Sequence, residues 1–410
     1  MRRFLTWLAA ALLLPILATA ALLIFAIEAQ PLVERSDAIS PLSIAQARRL
    51  LANHDPRRQR SGDIATVPIP AGLIDEGVNY VAGRYLHGRG AFTLTEQGGE
   101  FRLTLPLPAI GFLNLRATVH PADSMPTIAA ASLGRLPLPD RLVDFGIAQA
   151  VRIGGFNKEW QMASRAIRNV AFDVASETVA VTYEWEPLIL DRARAVALSP
   201  EEIKQLREAR QALAALLAHR APGSVVSLAE ILRATLPTQG DNPVGHGRAA
   251  LLVLASHLAH IDLAALVPAA RAWPHVRWVH ITLAGRHDLA QHFAVSATLA
   301  AWAGEPVADA IGLYKEMSDA RHGSGFSFID LAADRAGTRF GELLTRKPSV
   351  LLERLGSGLH DGDLLPRVGD LPEFLAAEQF RQRFESPSSP AFQAVARDIE
   401  NRLDTLPLYR

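Results

Sequence analysis

The chain has 410 residues, more than one ordinary domain, and its 49% of hydrophobic residues allows a sizeable core and argues against wholesale disorder. Lys and Arg together number 42, as do Asp and Glu, so the balance gives no electrostatic reason to expect a nucleic-acid partner. The absence of cysteine excludes disulfides, thiolate metal ligands and a cysteine nucleophile.

The first predicted element is a signal anchor or transmembrane helix over residues 1–30. Two arginines precede an uncharged apolar run from Phe4 to Ile27, which is long enough to cross a bilayer as one helix. Basic residues before the run and none directly after it favour a cytoplasmic N-terminus. The alternative is a signal peptide cleaved at Ala18–Ala20, but the apolar run continues past that point. The composition, rich in Ala, Leu and Arg, is typical of bacteria with GC-rich DNA. We therefore expect a single-pass protein of a bacterial inner membrane with its bulk in the periplasm.

Residues 31–63 are predicted to form a juxtamembrane stalk with a short helix that starts at Ser40 and Pro41.

Residues 64–190 are predicted to form an α+β module. An amphipathic helix, "IPAGLIDEGVNYVAGRYL", precedes several strand-like runs, and alternation is clear in "FRLTLPL" at residues 101–107. "EQGGE" is typical of a hairpin turn. We expect an antiparallel sheet with a helix packed on it.

The segment "ASLGRLPLPDRLVDFGIAQAV", residues 131–151, resembles a stretch of YpmS-like membrane-anchored extracytoplasmic proteins. In those proteins a strand ends in a Gly-x-Leu-Pro-x-Pro turn and a helix follows. The resemblance implies a β-sheet module that binds lipid. The residues alone leave a simpler interpretation open, in which Pro137 and Pro139 only stop the strand and start the helix.

Residues 198–345 are predicted to form a helical domain. Ser199, Pro200 and Glu202 are typical of a capped helix start, and helical patterns recur along this span, which favours a bundle. Residues 346–410 are rich in Pro, Gly and Ser and predict an extended tail with one C-terminal helix.

Polar residues at helical spacing mark a candidate site in the helical domain. His292 shares a stripe with apolar residues, and Asp288 lies one turn before it, where a carboxylate can hold the imidazole ring. Glu316 and Asp319 are three residues apart, so both side chains can reach one point.

A second acidic stripe follows in "SFIDLAADRAGTRFGE". Asp330 completes an S-x-x-D helix start, whereas Asp334 has no capping role. Gly337 and Gly341 continue the stripe of Asp330 and Asp334, which predicts close helix packing with two carboxylates in the seam.

We expect the candidate catalytic residues to converge: His292, Glu316, Asp319, Asp330 and Asp334. Supporting roles are predicted for Asp288, Lys315, Ser324 and Arg335. Carboxylates this close cannot all ionise without cationic partners, which are either Lys and Arg side chains (Lys315, Arg286, Arg321, Arg335) or a divalent metal ion. His257 and His260, at i and i+3, could also bind a metal, but a lone pair is a weak signal and is more typical of exposed helix histidines.

The same stretches, "QHFAVSA" and "IGLYKEMSDARHGSGFSFIDLAADRAG", resemble the YfiM-like family of small envelope proteins over about residues 286–340. The VanZ-like membrane proteins show a looser version. The matching residues are His292, Lys315, Glu316, Asp319, Ser324, Asp330 and Asp334. The resemblance implies a site without naming its reaction.

Two functions stay open. The first is a scaffold, or a lipid- or glycan-binding protein of the envelope, with the acidic cluster as a buried salt-bridge network. The second is an envelope hydrolase that uses the histidine and carboxylates with or without a metal. The expected partners are the inner membrane and an envelope lipid or glycan; the sequence assigns no cofactor beyond that candidate divalent ion.

Overall fold

The structure is a computed structural model that describes residues 25–55, 59–122, 124–153, 155, 157–186, 198–236 and 241–410, without the side chains of residues 159, 321 and 322. The chain divides into two compact units, residues 1–37 with 45–193, and residues 38–44 with 194–410. The predicted α+β class is confirmed, because antiparallel sheets and many helices are both present.

The predicted membrane anchor falls mainly on residues 1–24, which lie outside the described residues. In the part of the chain that is described, none of the helices is long and apolar enough to cross a membrane. The predicted end of the anchor at residue 30 is wrong, because Ile27–Glu28 forms strand β1, which pairs with the start of β5 (Gly111–His120). Strand β6 (Thr127–Leu133) pairs with β5 only from Leu115 onward. Backbone groups at the start of β5 are therefore free on that side to pair with β1.

Two antiparallel sheets form the first unit. The larger sheet has the order β3-β4-β5-β6-β7, with β1 beside β5, and its other strands are β3 (Arg89–Thr95), β4 (Gly98–Leu107), β6 (Thr127–Leu133) and β7 (Leu136–Pro137). The smaller sheet places β9 (Thr178–Glu184) between β2 (Ile64–Pro70) and β8 (Ile167–Asp173). The sequence patterns predict strands β3 to β7 of the larger sheet and β9 of the smaller one, and they miss β1, β2 and β8.

Helix α1 (Pro41–Asn53) begins as predicted, with the Ser40 hydroxyl accepting from the backbone N–H of Leu42. The other helices of the first unit are α2 (Ala71–Leu86), α3 (Asp140–Ile153) and α4 (Asn157–Ala166).

The start of the predicted stalk is part of the first unit instead. The Thr104 hydroxyl of β4 accepts from the backbone N–H groups of Leu32 and Val33, and Arg35 forms an ion pair with Asp75 of α2. These bonds hold residues 32–35 against the sheet and helix.

The second unit is helical around one extensive apolar core. Its helices before the C-terminal region are α5 (Pro200–Ala218), α6 (Leu228–Thr235), α7 (Pro243–Leu258), α8 (His287–Ala303), α9 (Glu305–His322) and α10 (Phe328–Arg346). The capping box of Ser199 and Glu202 at α5 is confirmed. Two short strands, β10 (Val225–Ser227) and β11 (His280–Thr282), form a parallel pair.

The prediction of an extended tail after residue 345 is wrong, because this region is mainly helical: α11 (Pro348–Gly356), α12 (Asp361–Leu364), α13 (Ala377–Phe384) and α14 (Pro390–Thr405). The prolines of α11 and α14 lie in the first turn, where a missing N–H costs no hydrogen bond. The aromatic rings of α13 and α14 complete the core by contacting two phenylalanines near the start of α10: Phe380, Phe384 and Phe392 against Phe326 and Phe328.

Helices α8 and α10 pack with their backbones in close contact. A Cβ atom on Gly337 would collide with the carbonyl oxygen of Phe293, and one on Gly341 with that of Ala297. The close packing predicted from the small-residue stripe is confirmed, and it fixes the position of α10 along α8.

We expect Gly337→Ala to lower the free energy of unfolding by about 1–3 kcal/mol, because the new methyl group forces the two helices apart. Chemical denaturation of the full chain measures this. Gly356→Ala is the matched control, since nothing lies within 4 Å of its Cβ position, and we expect it to be neutral or stabilising. Equal effects of the two substitutions would contradict the packing argument.

Candidate functional site

His292 occupies the centre of the seam between α8 and α10, with 8% of its surface exposed. Its Nδ1 lies 3.1 Å from Asp334 Oδ1, and the Ser296 hydroxyl donates to the same oxygen at 2.7 Å. Because an ionised carboxylate only accepts, this bond places a proton on His292 Nδ1. Burial lowers the pKa of His292, but the charge and hydrogen bond of Asp334 outweigh burial and raise that pKa to about 9.

The prediction that Asp288 holds the His292 ring is wrong. Asp288 accepts instead from the Arg286 guanidinium at 3.1 and 2.5 Å. Arg286 also donates to Glu373 at 2.5 Å, so Asp288 belongs to a neighbouring ion cluster at the start of α8.

Glu316 of α9 is the most deeply buried acid of the site, with 1% of its side chain exposed. Its Oε2 accepts from the backbone N–H of Ser327 at 3.1 Å. Its Oε1 has no hydrogen-bond partner among the described residues, although Lys315 Nζ lies 3.5 Å away and His292 Nδ1 4.0 Å away. Burial, reinforced by the charge of Asp334, raises the pKa of Glu316 to about 7.

Asp330 lies in the first turn of α10 and also takes part in the candidate site. Its backbone N–H donates to the Ser327 hydroxyl at 3.0 Å, which confirms the predicted helix cap. Its Oδ2 lies 3.7 Å from His292 Nε2, and Arg286 approaches its Oδ1 at 3.9 Å. Burial raises the pKa of Asp330 despite the nearby His292.

Lys315 and Asp319 form the exposed edge of the site. Lys315 Nζ lies 3.2 Å from His292 Nε2 and donates to Asp319 at 2.9 Å, and about half of its side chain, 48%, is exposed. Burial opposes its charge, but the bond to Asp319 and the charge of Glu316 raise the pKa of Lys315. Asp319 is linked to the cluster through Lys315.

Besides Asp288, two predicted supporting residues lie outside the cluster. Arg335 pairs with Asp309 and Glu400, and Ser324 is exposed. The side chain of Arg321 is not among the described ones. Sequence reasoning missed Ser296, although it lies one turn after His292 on the same helix face.

The candidate cluster therefore contains His292, Lys315, Glu316, Asp319, Ser327, Asp330 and Asp334, brought together from α8, α9 and the start of α10. Gly312 of α9 makes room for it, because a Cβ there would lie 2.9 Å from Asp334 Oδ2. A catalytic role for these residues stays a prediction.

Two groups of side chains have a spacing that suits a metal ion. One consists of His292, Glu316 and Asp330, and the other of Asp288, Asp330 and Glu373. The second group already surrounds the Arg286 guanidinium, which supplies its positive charge.

An apolar cavity of about 780 Å³ lies within the first unit. Its lining comes from both sheets and from α2, α3 and α4, with further residues before β6: Ile74, Phe92, Phe101, Val119, Met125, Pro126, Thr127, Ile128, Asp140, Asp144, Ile147, Ala148, Trp160, Val170, Phe172 and Val179. The buried apolar cluster beside the cavity is small among the described residues, and all three of its members, Phe92, Val170 and Val179, also line the cavity.

Helix α3 has two apolar faces. Ile147 and Ala148 line the cavity, whereas Leu142, Phe145 and Ile153 lie on the opposite face and are 57%, 59% and 82% exposed. None of the residues of α3 is fully buried. A helix with this pattern covers an apolar space and presents a second apolar stripe outward.

Comparison with family models, with curated proteins and with solved structures found no match for the chain. The YfiM-like and YpmS-like resemblances therefore stay predictions.

A separate histidine group surrounds Trp278. The ring centroids of His257 and His260 lie 5.1 and 4.4 Å from that of Trp278, so both members of the predicted metal pair pack in tilted contact with an indole. Burial lowers the pKa of His257 to about 4, and nearby cationic groups add to this: His260, Arg210, His275 and His287.

We expect His257 to make the second unit acid-sensitive. Its pKa is lower in the folded chain than in the unfolded one, so protons bind the unfolded state more tightly, and stability falls as the pH drops from 6.5 towards 4. His257→Gln removes this titration and makes the fall in melting temperature smaller. The control is His219→Gln at an exposed histidine, and a fall equal in all three proteins would contradict the assignment.

Proposed function

We propose that this chain is a membrane-anchored protein of the bacterial envelope whose first unit binds the acyl chain of a membrane lipid. The observation that carries the proposal is the cavity of about 780 Å³ with its predominantly apolar lining. This volume lies in the range of small-molecule sites in proteins. An acyl chain in the cavity would remove the side chains of Phe101, Phe172 and Ile128 from water, which stabilises the complex through the hydrophobic effect.

The position of the unit in the sequence supports a bilayer as the source of this ligand. The apolar run that ends at Ile27 leads directly into β1, and β1 belongs to the larger sheet of this unit. If the run spans the membrane, the sheet starts at the membrane surface. The exposed stripe of Leu142, Phe145 and Ile153 supports the same proposal, since an amphipathic helix with such a stripe suits contact with a lipid surface.

The acidic residues of the lining favour one class of lipid headgroup. Asp140 and Asp144 lie on the cavity-facing side of α3 and are exposed. Two carboxylates attract an ammonium group and repel a second anion. We therefore propose a lipid with an amine in its headgroup, of the phosphatidylethanolamine class, rather than phosphatidylglycerol.

A hydrolase in the second unit is the other candidate function. It is favoured by the convergence of His292, Glu316, Asp330 and Asp334 around unpaired carboxylate oxygens. Release of soluble fragments from purified envelope glycan by the full chain, and its loss in Asp334→Asn, would support this candidate. Asp404→Asn, at an exposed ion pair of α14, is the control.

We expect Trp160 to report the acyl chain, because it lines the cavity. The full chain is placed in lipid nanodiscs whose phosphatidylethanolamine carries bromine atoms on its acyl chains. The emission of Trp160, obtained by subtracting that of Trp160→Phe, should be strongly quenched. Ala148→Phe fills the cavity and should relieve the quenching, whereas Ala150→Phe on the same helix should not, since residue 150 does not line the cavity.

Quenching of equal strength in Ala148→Phe and Ala150→Phe would show that lipid contacts the outer surface only, which contradicts the proposed cavity site. Emission that bromine leaves unchanged would contradict lipid binding altogether. Nanodiscs with brominated phosphatidylglycerol test the proposed preference for an amine headgroup. If they quench Trp160 as strongly as brominated phosphatidylethanolamine does, the proposed role of Asp140 and Asp144 is wrong.

A further inference from the structure

The His292 cluster contains three side chains with the spacing of a metal-ligand set. His292, Glu316 and Asp330 come from α8, α9 and α10, and one ligand atom from each lies within 4.8 Å of the other two. Ligands about 2.1 Å from a metal ion lie roughly 3–4 Å apart. Small side-chain movements therefore suffice to place all three atoms around one ion.

The orientation of His292 is that of a metal ligand with a supporting carboxylate. Asp334 accepts the proton of Nδ1, so Nε2 is the nitrogen available to a metal ion once the ion displaces the second ring proton, and Nε2 lies 3.7 Å from Asp330 Oδ2. Ser296 fixes the Asp334 carboxylate from the other side. Carboxylates in this position set the tautomer and the ring orientation of metal-binding histidines.

An independent observation comes from Glu316, whose side chain is 1% exposed and whose Oε1 has no hydrogen-bond partner in the described part of the chain. Leaving a buried carboxylate oxygen unpaired is costly, and such an atom beside an imidazole suits a metal ligand. Asp334 Oδ2 and Asp330 Oδ1 are likewise buried without a partner there.

Among the described side chains, the cations in direct contact with the four carboxylates of the cluster are Lys315 and the protonated His292, which are fewer than the carboxylates. Lys315 contacts the cluster directly, and its Nζ lies 3.2 Å from His292 Nε2 and 3.5 Å from Glu316 Oε1. Arg286 and Arg335 form their shorter bonds with Asp288, Glu373 and Asp309. Lys315 is half-exposed and also bonded to Asp319, so its ammonium can move towards Asp319 and leave the three ligands to a divalent ion.

We propose that His292, Glu316 and Asp330 bind one divalent transition-metal ion, that Asp334 is a positioning residue for His292, and that Lys315 is the cation displaced on binding. One imidazole and two carboxylates suit Zn²⁺ or Mn²⁺, whereas Ca²⁺ requires more oxygen ligands than this set offers. The proposal is independent of lipid binding by the first unit.

The test uses the full chain in detergent, stripped with a chelator and then titrated with Zn²⁺ and with Mn²⁺ by calorimetry, with elemental analysis of the dialysed protein. We expect one ion per chain. His292→Asn and Glu316→Gln should abolish binding, and Asp334→Asn should weaken it by about 10- to 100-fold without abolishing it. His219→Gln and Glu353→Gln, both at exposed positions of the second unit, should bind as the unmodified chain does.

The variant Lys315→Gln distinguishes a metal site from a salt-bridge network. Removal of a positive charge beside the ion should tighten metal binding several-fold, and this outcome does not depend on variants that lose a buried ligand. If the unmodified chain and Lys315→Gln both fail to bind either metal, the cluster is a salt-bridge network and the proposal is wrong. Binding that survives in a folded His292→Asn variant would equally overturn the assignment of the ligands.

Discussion

The close backbone contact between α8 and α10 determines the rest of the candidate site. Gly337 and Gly341 allow this contact because any side chain there would collide with carbonyl oxygens of α8. Asp334 precedes Gly337 by three residues, so it shares the same helix face and reaches His292, which is next to Phe293 in the chain. Small residues in the seam are thus the reason that a carboxylate and a histidine meet in a region otherwise filled by apolar side chains.

This contact also has an electrostatic consequence. It brings Asp330 and Asp334 close to His292, to which α9 adds Glu316, in surroundings where desolvation of charge is costly. Apolar side chains of similar size would fill such a seam with no loss of stability and often with a gain. A cluster whose charges are incompletely paired is therefore poorly explained by stability alone, whereas a site that accepts a proton or a cation requires this imbalance.

Sequence periodicity predicted the helices that carry the site, and its glycine stripe predicted their contact, because both signals are local. It could not select Asp334 over Asp288 as the partner of His292, since Arg286 captures Asp288 through a bond formed only in the fold. Strands β2 and β8 of the smaller sheet were also missed, although β9 was predicted; β2 and β9 pair residues as distant in the chain as Thr66 and Thr182. The C-terminal helix α14 was predicted, but the rest of the tail was misread from composition, although Pro348 lies in the first turn of α11 just as Pro200 lies in that of α5.

The two units differ in how completely they bury their apolar residues, and this difference bears on what each can do. The second unit has a large core in which rings such as Phe293 and Phe340 are fully buried, so it can hold a polar cluster in fixed geometry. In the first unit, apolar side chains line an open cavity, and the buried apolar cluster beside it is limited to Phe92, Val170 and Val179 among the described residues. Apolar surface around an open cavity gains free energy when an apolar group enters, so this unit is the one in which a lipid chain would complete the core. Rigid packing thus suits the unit with the ionisable cluster, and incomplete packing suits the unit with the apolar ligand.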